Sequence, residues 1–257
     1  MTVLLRLDEA VAVSAGVSRS RARALIMAGR VRVDGRIATK AGERVRASSR
    51  LEVARPSPYV SRGGEKLERA LDAFAIGVKG KRALDVGAST GGFTDCLLVR
   101  GAEHIVAIDV GYGQLAYSLR IDPRVTVVER CNFRLLSDDA FEQPFDVITI
   151  DASFISVKTM IARALGYLVP GGDIVALVKP QFEAGRARLG GGGVVRDPAV
   201  HRDVLVETLD AIAGMGAVAA GLIRSPLRGP AGNLEFFVHV RRDGVPVDLS
   251  AVSAALA

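Results

Sequence analysis

With 257 residues, the chain has room for one large domain or for a small one joined to a medium one. Apolar residues make up 49%, enough for a buried core, yet no apolar run is long enough to span a membrane, and charge arrives at Arg6, Asp8 and Glu9, too early for a signal peptide. The net charge of +6 is uneven: residues 1–55 hold 12 Lys/Arg against 5 Asp/Glu, and residues 56–257 hold 22 against 23. A basic excess confined to the first fifth of a chain is the electrostatic footprint of a nucleic-acid module on a near-neutral body. The two cysteines, Cys96 and Cys131, stand apart and the three histidines are scattered, so no disulfide framework and no metal site is expected, and a reducing cytoplasm fits.

In chain order, residues 6–15 read as a helix with Leu7, Val11 and Ala15 on one face. Ser18 is the expected N-cap of a second helix, Arg19 to Met27, stopped by Gly29. Arg19, Arg23 and Arg30 share one stripe, beside an apolar face of Ala22, Leu25 and Ile26. Val31 to Val33 alternates as a short strand, Asp34-Gly35 is a tight-turn pair, Arg36 to Ala38 resumes, and Arg50 to Val53 adds a strand. This makes a helix-helix-hairpin domain over residues 1–55, with a semi-extended Pro/Ser linker at 56–60 and a second domain over 61–257.

The second domain alternates strand and helix. Helices are predicted at Glu65 to Ile76, Phe93 to Arg100, Gln114 to Arg120, Val157 to Leu168 and Pro198 to Met215. Strands are predicted at Arg82 to Val86, His104 to Val110, Val125 to Val128, Phe145 to Ile150 and Gly172 to Val178. Pro180 to Arg196, with four consecutive glycines, reads as a loop, and Ala217 to Ile223 and Glu235 to Arg241 close the fold as an antiparallel pair. The fold class is α/β: a doubly wound, Rossmann-like sheet with an antiparallel strand near one edge, preceded by a small α+β domain.

Between the first strand and its helix lies Asp85-Val86-Gly87-Ala88-Ser89-Thr90-Gly91-Gly92-Phe93. A glycine-rich turn at that place lets backbone approach a ligand and aims helix N–H groups at it. Asp109 ends the second strand 24 positions after Asp85, where a carboxylate can accept both hydroxyls of a nucleoside ribose, and Val110 follows it. This pairing occurs in both nicotinamide and S-adenosylmethionine folds; the spacing Gly87-x-x-x-Gly91-Gly92 departs from the dehydrogenase pattern. Asp151 and Lys179 end the fourth and fifth strands, Lys66 lies on the entering helix, and Glu235 starts a strand that runs the other way. All four are expected at the carboxyl edge of the sheet, where ligands bind. Paired lysines, each pushing down the other's pKa and oriented by carboxylates, suit removal of a proton from a poorly acidic hydroxyl without a metal.

The chain resembles the TlyA proteins, also called the hemolysin A family, over essentially its whole length. Arg6-Leu7-Asp8, Ser18-Arg19-Ser20, Ala24-Leu25-Ile26 and Val33-Asp34-Gly35 are similar to the RNA-binding domain named after small-subunit ribosomal protein four. Tyr59 to Leu67, Asp85 to Thr94, Asp109 to Leu115, Asp151 to Ser156, Val178 to Glu183 and Gly229 to Glu235 resemble family segments, the second of them the FtsJ-type cofactor loop. The resemblance implies S-adenosylmethionine as cofactor, 2′-O-methylation of cytidine in ribosomal RNA or subunits, and a Lys-Asp-Lys-Glu tetrad at Lys66, Asp151, Lys179 and Glu235. It places Asn132 near the adenine, with Arg6, Arg19, Arg23, Arg30 and Arg62 gripping RNA phosphates. In the family that the chain resembles, longer terminal extensions go with modification of both subunits, so the short start and the 22 residues after Glu235 point to large-subunit RNA, with the small subunit left open. The competing readings are a non-catalytic RNA chaperone or ribosome-binding factor and a membrane-active hemolysin.

Overall fold

In the computed structural model of the protein, which describes residues 4–27, 29–53 and 57–257, the chain divides into two units, Met1–Pro56 and Ser57–Ala257. The first starts with strand β1 (Leu4–Arg6), which runs directly into helix α1 (Leu7–Ala15), followed by α2 (Arg19–Met27). Ser18 Oγ accepts from the backbone N–H of Arg21 at 3.3 Å, the expected N-cap, and Gly29 turns the chain at φ +67°. Strands β2 (Val31–Val33) and β3 (Arg36–Ala38) pair so that Asp34 (φ +50°) and Gly35 (φ +82°) form a two-residue turn with both centres left-handed. Beyond these, β4 (Arg44–Arg46) pairs with β1, and β5 (Leu51–Val53) with β2. The β1–β4 pair has no counterpart in the sequence reading, because a three-residue strand carries too little alternation to show. Leu7, Val11, Leu25, Ile26, Val31 and Val45 bury together between these elements.

Of the expected linker, Pro56 lies outside the described residues. Tyr59 is buried against Gly64, where a Cβ would come within 2.2 Å of its ring, and its hydroxyl donates to Glu68 Oε1 at 2.8 Å. Tyr59 is therefore part of the second unit's core.

The second unit holds a seven-stranded sheet of β6 (Arg82–Val86), β7 (His104–Ile108), β8 (Val125–Val128), β9 (Phe145–Ile150), β10 (Leu168–Val178), β11 (Val218–Arg224) and β12 (Phe236–Arg241). The order is β11-β12-β10-β9-β6-β7-β8, and β12 runs antiparallel to both its neighbours. Alternation along each strand sorts the core into two layers. Ala83, Ile105, Val147, Val175 and Phe237 face α3 (Arg62–Ala73) and α4 (Gly92–Val99). Leu84, Val106, Ile148, Ile174 and Val238 face α6 (Val157–Leu165), α8 (Pro198–Gly214) and α9 (Leu249–Leu256). This is the predicted doubly wound sheet.

Several bounds differ. Helix α5 is only Tyr117–Arg120; Gln114, Leu115 and Ala116 precede it as loop. Helix α6 stops at Leu165, short of the predicted Leu168, and strand β10 begins at Leu168, ahead of the predicted Gly172, passing Pro170-Gly171-Gly172 through an irregular register. A one-turn helix α7 (Pro180–Glu183) opens the segment expected as loop, and α9 follows the last strand unforeseen. Among the described residues, no helix is long and apolar enough to cross a membrane.

Candidate active site

Helix α3 reaches the sheet edge because its first turn is nearly bare. Ser61 Oγ accepts from Gly63 N–H at 3.3 Å as N-cap, and a Cβ on Gly92 would lie 3.0 Å from Gly63 and Gly64 backbone. One helical turn on, Lys66 Nζ contacts Glu235 Oε2 at 2.6 Å, with side-chain exposures of 9% and 2%. Register explains the rest. Val178 pairs with Phe236, so Lys179 and Glu235 stand side by side one residue past the ladder. Val86 pairs with Ile150, so Gly87 and Asp151 do the same. Lys179 Nζ lies 2.6 Å from Asp151 Oδ1 and donates to Ser153 Oγ at 2.9 Å. Asp151 Oδ1 is buried, and the Lys179 ammonium is its partner. The four side chains thus form two ion pairs along one edge of the sheet, with Glu235, Lys179 and Asp151 at neighbouring strand ends and Lys66 on α3.

Breaking the buried pair from one side leaves an uncompensated charge. Glu235→Ala should cost about 3–5 kcal/mol of unfolding free energy, and Lys66→Met combined with Glu235→Leu should recover most of it. Urea denaturation of the three proteins checks this; equal stability of the single variant and the parent would refute the pairing.

Beside Asp151 opens a cavity of about 560 Å³, lined by Gly87, Ser89, Asp109, Val110 and Asn132 among the expected cofactor residues. Gly87 sits at φ +85°, and a Cβ there would come 2.6 Å from the Asp151 carbonyl oxygen. Asp109 Oδ2 accepts from Ser89 N–H at 2.7 Å and Oδ1 from Gly111 N–H at 2.6 Å. The carboxylate therefore joins the glycine turn to the loop after β7, and each oxygen keeps a further lone pair for a ligand. Asn132 Oδ1 accepts from Arg134 N–H at 3.2 Å. Asp85, Ala88, Thr90, Gly91, Gly92 and Phe93 do not line the cavity. Gly91 (φ +95°) caps α4, Phe93 packs in the core, and Thr90 is exposed.

Asp85 is fully buried and accepts from Thr94 Oγ1 (2.6 Å) and Thr149 Oγ1 (3.0 Å). Burial pushes its carboxyl up to about 6, the two hydroxyls opposing. A carboxyl raised in the folded state binds more protons there than in the unfolded chain between its ordinary value and about 6. Its contribution to stability is complete below the ordinary carboxylate range and declines as pH rises through 6. Asp85→Asn should flatten the stability profile across that window by roughly 3 kcal/mol. Parallel denaturant titrations at successive pH values decide it, and superimposable profiles would refute it.

Residues that the sequence reading passed over also line the cavity: Gln114, Cys131, Arg134, Phe154, Ile155 and Met160. Phe154 is 91% exposed at φ +64°, and its ring stands 5.0 Å from that of Phe182. A bulky residue in the left-handed region stores backbone strain, a feature that concentrates at functional sites. No sequence signal marks it. Among the described residues, no three His, Cys, Asp or Glu side chains group to hold a metal ion.

In the first unit, the expected arginine stripe is reorganised. Asp8 is fully buried at the start of α1, and three guanidinium groups converge on it. Arg6 Nε donates at 3.1 Å, Arg19 Nε at 3.1 Å and Arg23 Nε at 3.0 Å. The hydrogen bonds from Arg6, then those from Arg23 and Arg19, hold the Asp8 carboxyl far below the usual range against the opposing pull of burial. Arg19 and Arg23 are thus anchored, Arg6 joins them, and Arg30 takes no part in the cluster. In the second unit, Arg62 is exposed on the first turn of α3 and donates to Arg228 O at 3.5 Å.

Comparison with known proteins agrees with this anatomy. The FtsJ-like methyltransferase family matches residues 59–242, and the S4 domain matches residues 5–51. The 16S/23S rRNA (cytidine-2'-O)-methyltransferase TlyA of Mycobacterium tuberculosis is 49% identical over 230 residues, 88% of this chain and 86% of that protein. Hemolysin A of Brachyspira hyodysenteriae is 40% identical over 238 residues, 91% of this chain and 99% of that one. A solved structure described as a hemolysin from Streptococcus thermophilus matches with a TM-score of 0.76 at 37% identity, covering 99% of this chain and 96% of that chain. The chain belongs to the FtsJ-like methyltransferase family, in its TlyA (hemolysin A) branch, with an S4 domain ahead of the methyltransferase fold.

Proposed function

We propose that the protein moves the methyl group of S-adenosylmethionine to the ribose 2′-hydroxyl of a cytidine in ribosomal RNA. The observation that carries this reading is the pair of ion pairs, Lys66–Glu235 and Lys179–Asp151, at the sheet edge next to the cavity.

The cavity residues fit that cofactor. Asp109 has lone pairs for ribose hydroxyls, Val110, Ile155 and Met160 offer apolar walls for a purine, and Gly87 leaves backbone room. When bound, S-adenosylmethionine supplies an electrophilic methyl on a sulfonium sulfur. The chain must then deal with the hydroxyl, which is hardly ionised at neutral pH. Asp151 and Ser153 hold Lys179 Nζ in one place, and that nitrogen takes the hydroxyl proton when it is a neutral amine, or stabilises the emerging alkoxide when it is an ammonium. Glu235 holds Lys66 as a second amine toward the same oxygen. Such help is worth roughly 10²–10⁴-fold, with alignment of the reacting atoms supplying more.

The first unit delivers the RNA. Arg6, Arg19 and Arg23 are pre-oriented by Asp8, and with Arg30 and Arg62 they contact phosphates without reading sequence. Exposed Phe154, backed by the half-buried Phe182 at the reacting edge, offers a stacking face for an unstacked cytosine. A ribosomal substrate puts the working protein in the cytoplasm.

The test is methylation of 16S and 23S RNA, and of intact subunits, from a strain lacking the enzyme. Labelled methyl should appear as 2′-O-methylcytidine by mass spectrometry of the nucleosides. Cofactor binding without transfer would favour an RNA chaperone, and leakage of liposomes by the purified protein would favour a membrane-active toxin; either result without 2′-O-methylcytidine overturns the proposal.

A further inference from the structure

We infer that Glu183 is a positioning residue for methyl transfer: its buried carboxylate ties the segment after β10 to the segment after β9 and so fixes Lys179 against Asp151 and Ser153. The inference rests on the function proposed above and adds a residue to it.

Two short arches leave the sheet edge side by side. One runs from Asp151 to Ser156 and enters α6; the other runs from Lys179 to Glu183 through α7. Each is anchored in the sheet at its first residue: Asp151 N–H donates to Val86 O at 2.9 Å, and Lys179 directly follows β10. Away from the sheet they are joined by rungs. Lys179 Nζ meets Ser153 Oγ at 2.9 Å, the Phe154 and Phe182 rings meet at 5.0 Å, and Glu183 closes the far end. Glu183 Oε2 accepts from Ser156 Oγ at 2.7 Å, and Oε1 accepts from Val157 N–H at 2.7 Å.

The first two rungs are exposed to solvent at Ser153 and Phe154, whereas the Glu183 side chain is 1% exposed. Hydrogen bonds to a charged acceptor out of water are the strong ones. The distal rung is therefore the stiff one. It also opposes the splaying that the left-handed φ of Phe154 (+64°) would otherwise relax. Lys158 Nζ lies 3.6 Å from Glu183 Oε2 and supplies charge balance without joining the arches.

A helix-capping role alone predicts lower stability and an unchanged chemical step. A positioning role predicts a loss in kcat with the KM for RNA and the affinity for S-adenosylmethionine unchanged. Glu183→Gln should lower the single-turnover rate on ribosomal RNA on the order of 100-fold, the scale of a misplaced catalytic group. Ser156→Ala, which keeps the Val157 bond, should lower it less. A crystal structure of Glu183→Gln should show Lys179 Nζ released from Ser153, a readout independent of any substrate. Parent-like rates in both Glu183→Gln and Ser156→Ala, measured where each is folded, would overturn the inference. Should Glu183→Gln fail to fold, Ser156→Ala carries the same test. An inactive parent protein would instead count against the proposed function, and the crystal structure would still decide the role of Glu183.

Discussion

Lys179→Ala should abolish methyl transfer while S-adenosylmethionine still binds. The amine sits at the junction of the two arches, yet Lys179 does not line the cavity proposed for the cofactor. Truncation therefore removes the group facing the acceptor oxygen and leaves the nucleoside pocket intact. The expected loss in single-turnover rate is at least the roughly 10²–10⁴-fold that acid–base help supplies. Lys179→Arg separates the two roles left open for the amine. A guanidinium carries the charge but does not give up its proton in a protein, so it can stabilise an alkoxide and cannot act as a base. Substantial activity in the arginine protein would assign charge stabilisation; none would assign proton removal. Calorimetric titration with S-adenosylmethionine and a labelled-methyl assay suffice, and normal turnover by Lys179→Ala would remove Lys179 from the mechanism.

Asp8→Ala should unfold the S4 domain and take RNA methylation with it, while cofactor binding by the methyltransferase domain persists. Asp8 is a buried carboxylate satisfied by three arginines in a small domain with a modest core. Its removal leaves three cations facing one another across an apolar floor. Calorimetry should lose the transition belonging to the first domain. The same weakness should appear in the parent protein in acid. The folded-state carboxyl is depressed, so its stabilising contribution is present above the ordinary aspartate value near pH 4 and disappears as pH falls toward the lower folded value. A first-domain transition that is indifferent to pH below 4, or that survives in Asp8→Ala, would show that the arginine cluster is ornamental to the fold.

The strand-helix alternation, the Asp34-Gly35 turn, the Ser18 cap and the edge location of Lys66, Asp151, Lys179 and Glu235 were legible because each follows from local pattern or from where a parallel strand must end. The rest depends on tertiary context. Asp8 reads in sequence as an ordinary acid in a first helical turn; only folding surrounds it with guanidinium groups drawn from β1 and α2. The arginines were expected free on one stripe for the same reason. Phe154 reads as one more apolar residue in a mixed segment, because a backbone angle leaves no mark on residue type. The sequence predicts the strand only from Gly172, yet β10 starts at Leu168 and passes Pro170-Gly171 through an irregular register that local alternation does not show.

The place of β12 has a consequence for biosynthesis. This strand, which follows β11 in the chain, inserts between β10 and β11 instead of adding at an edge. Until it does, β11 has no partner to hydrogen-bond, α9 has yet to dock on β11, and Glu235 is not delivered to Lys66. A nascent chain can thus finish its S4 domain and the parallel part of its sheet before the Lys66–Glu235 pair closes, so the antiparallel side of the sheet is the late step of folding.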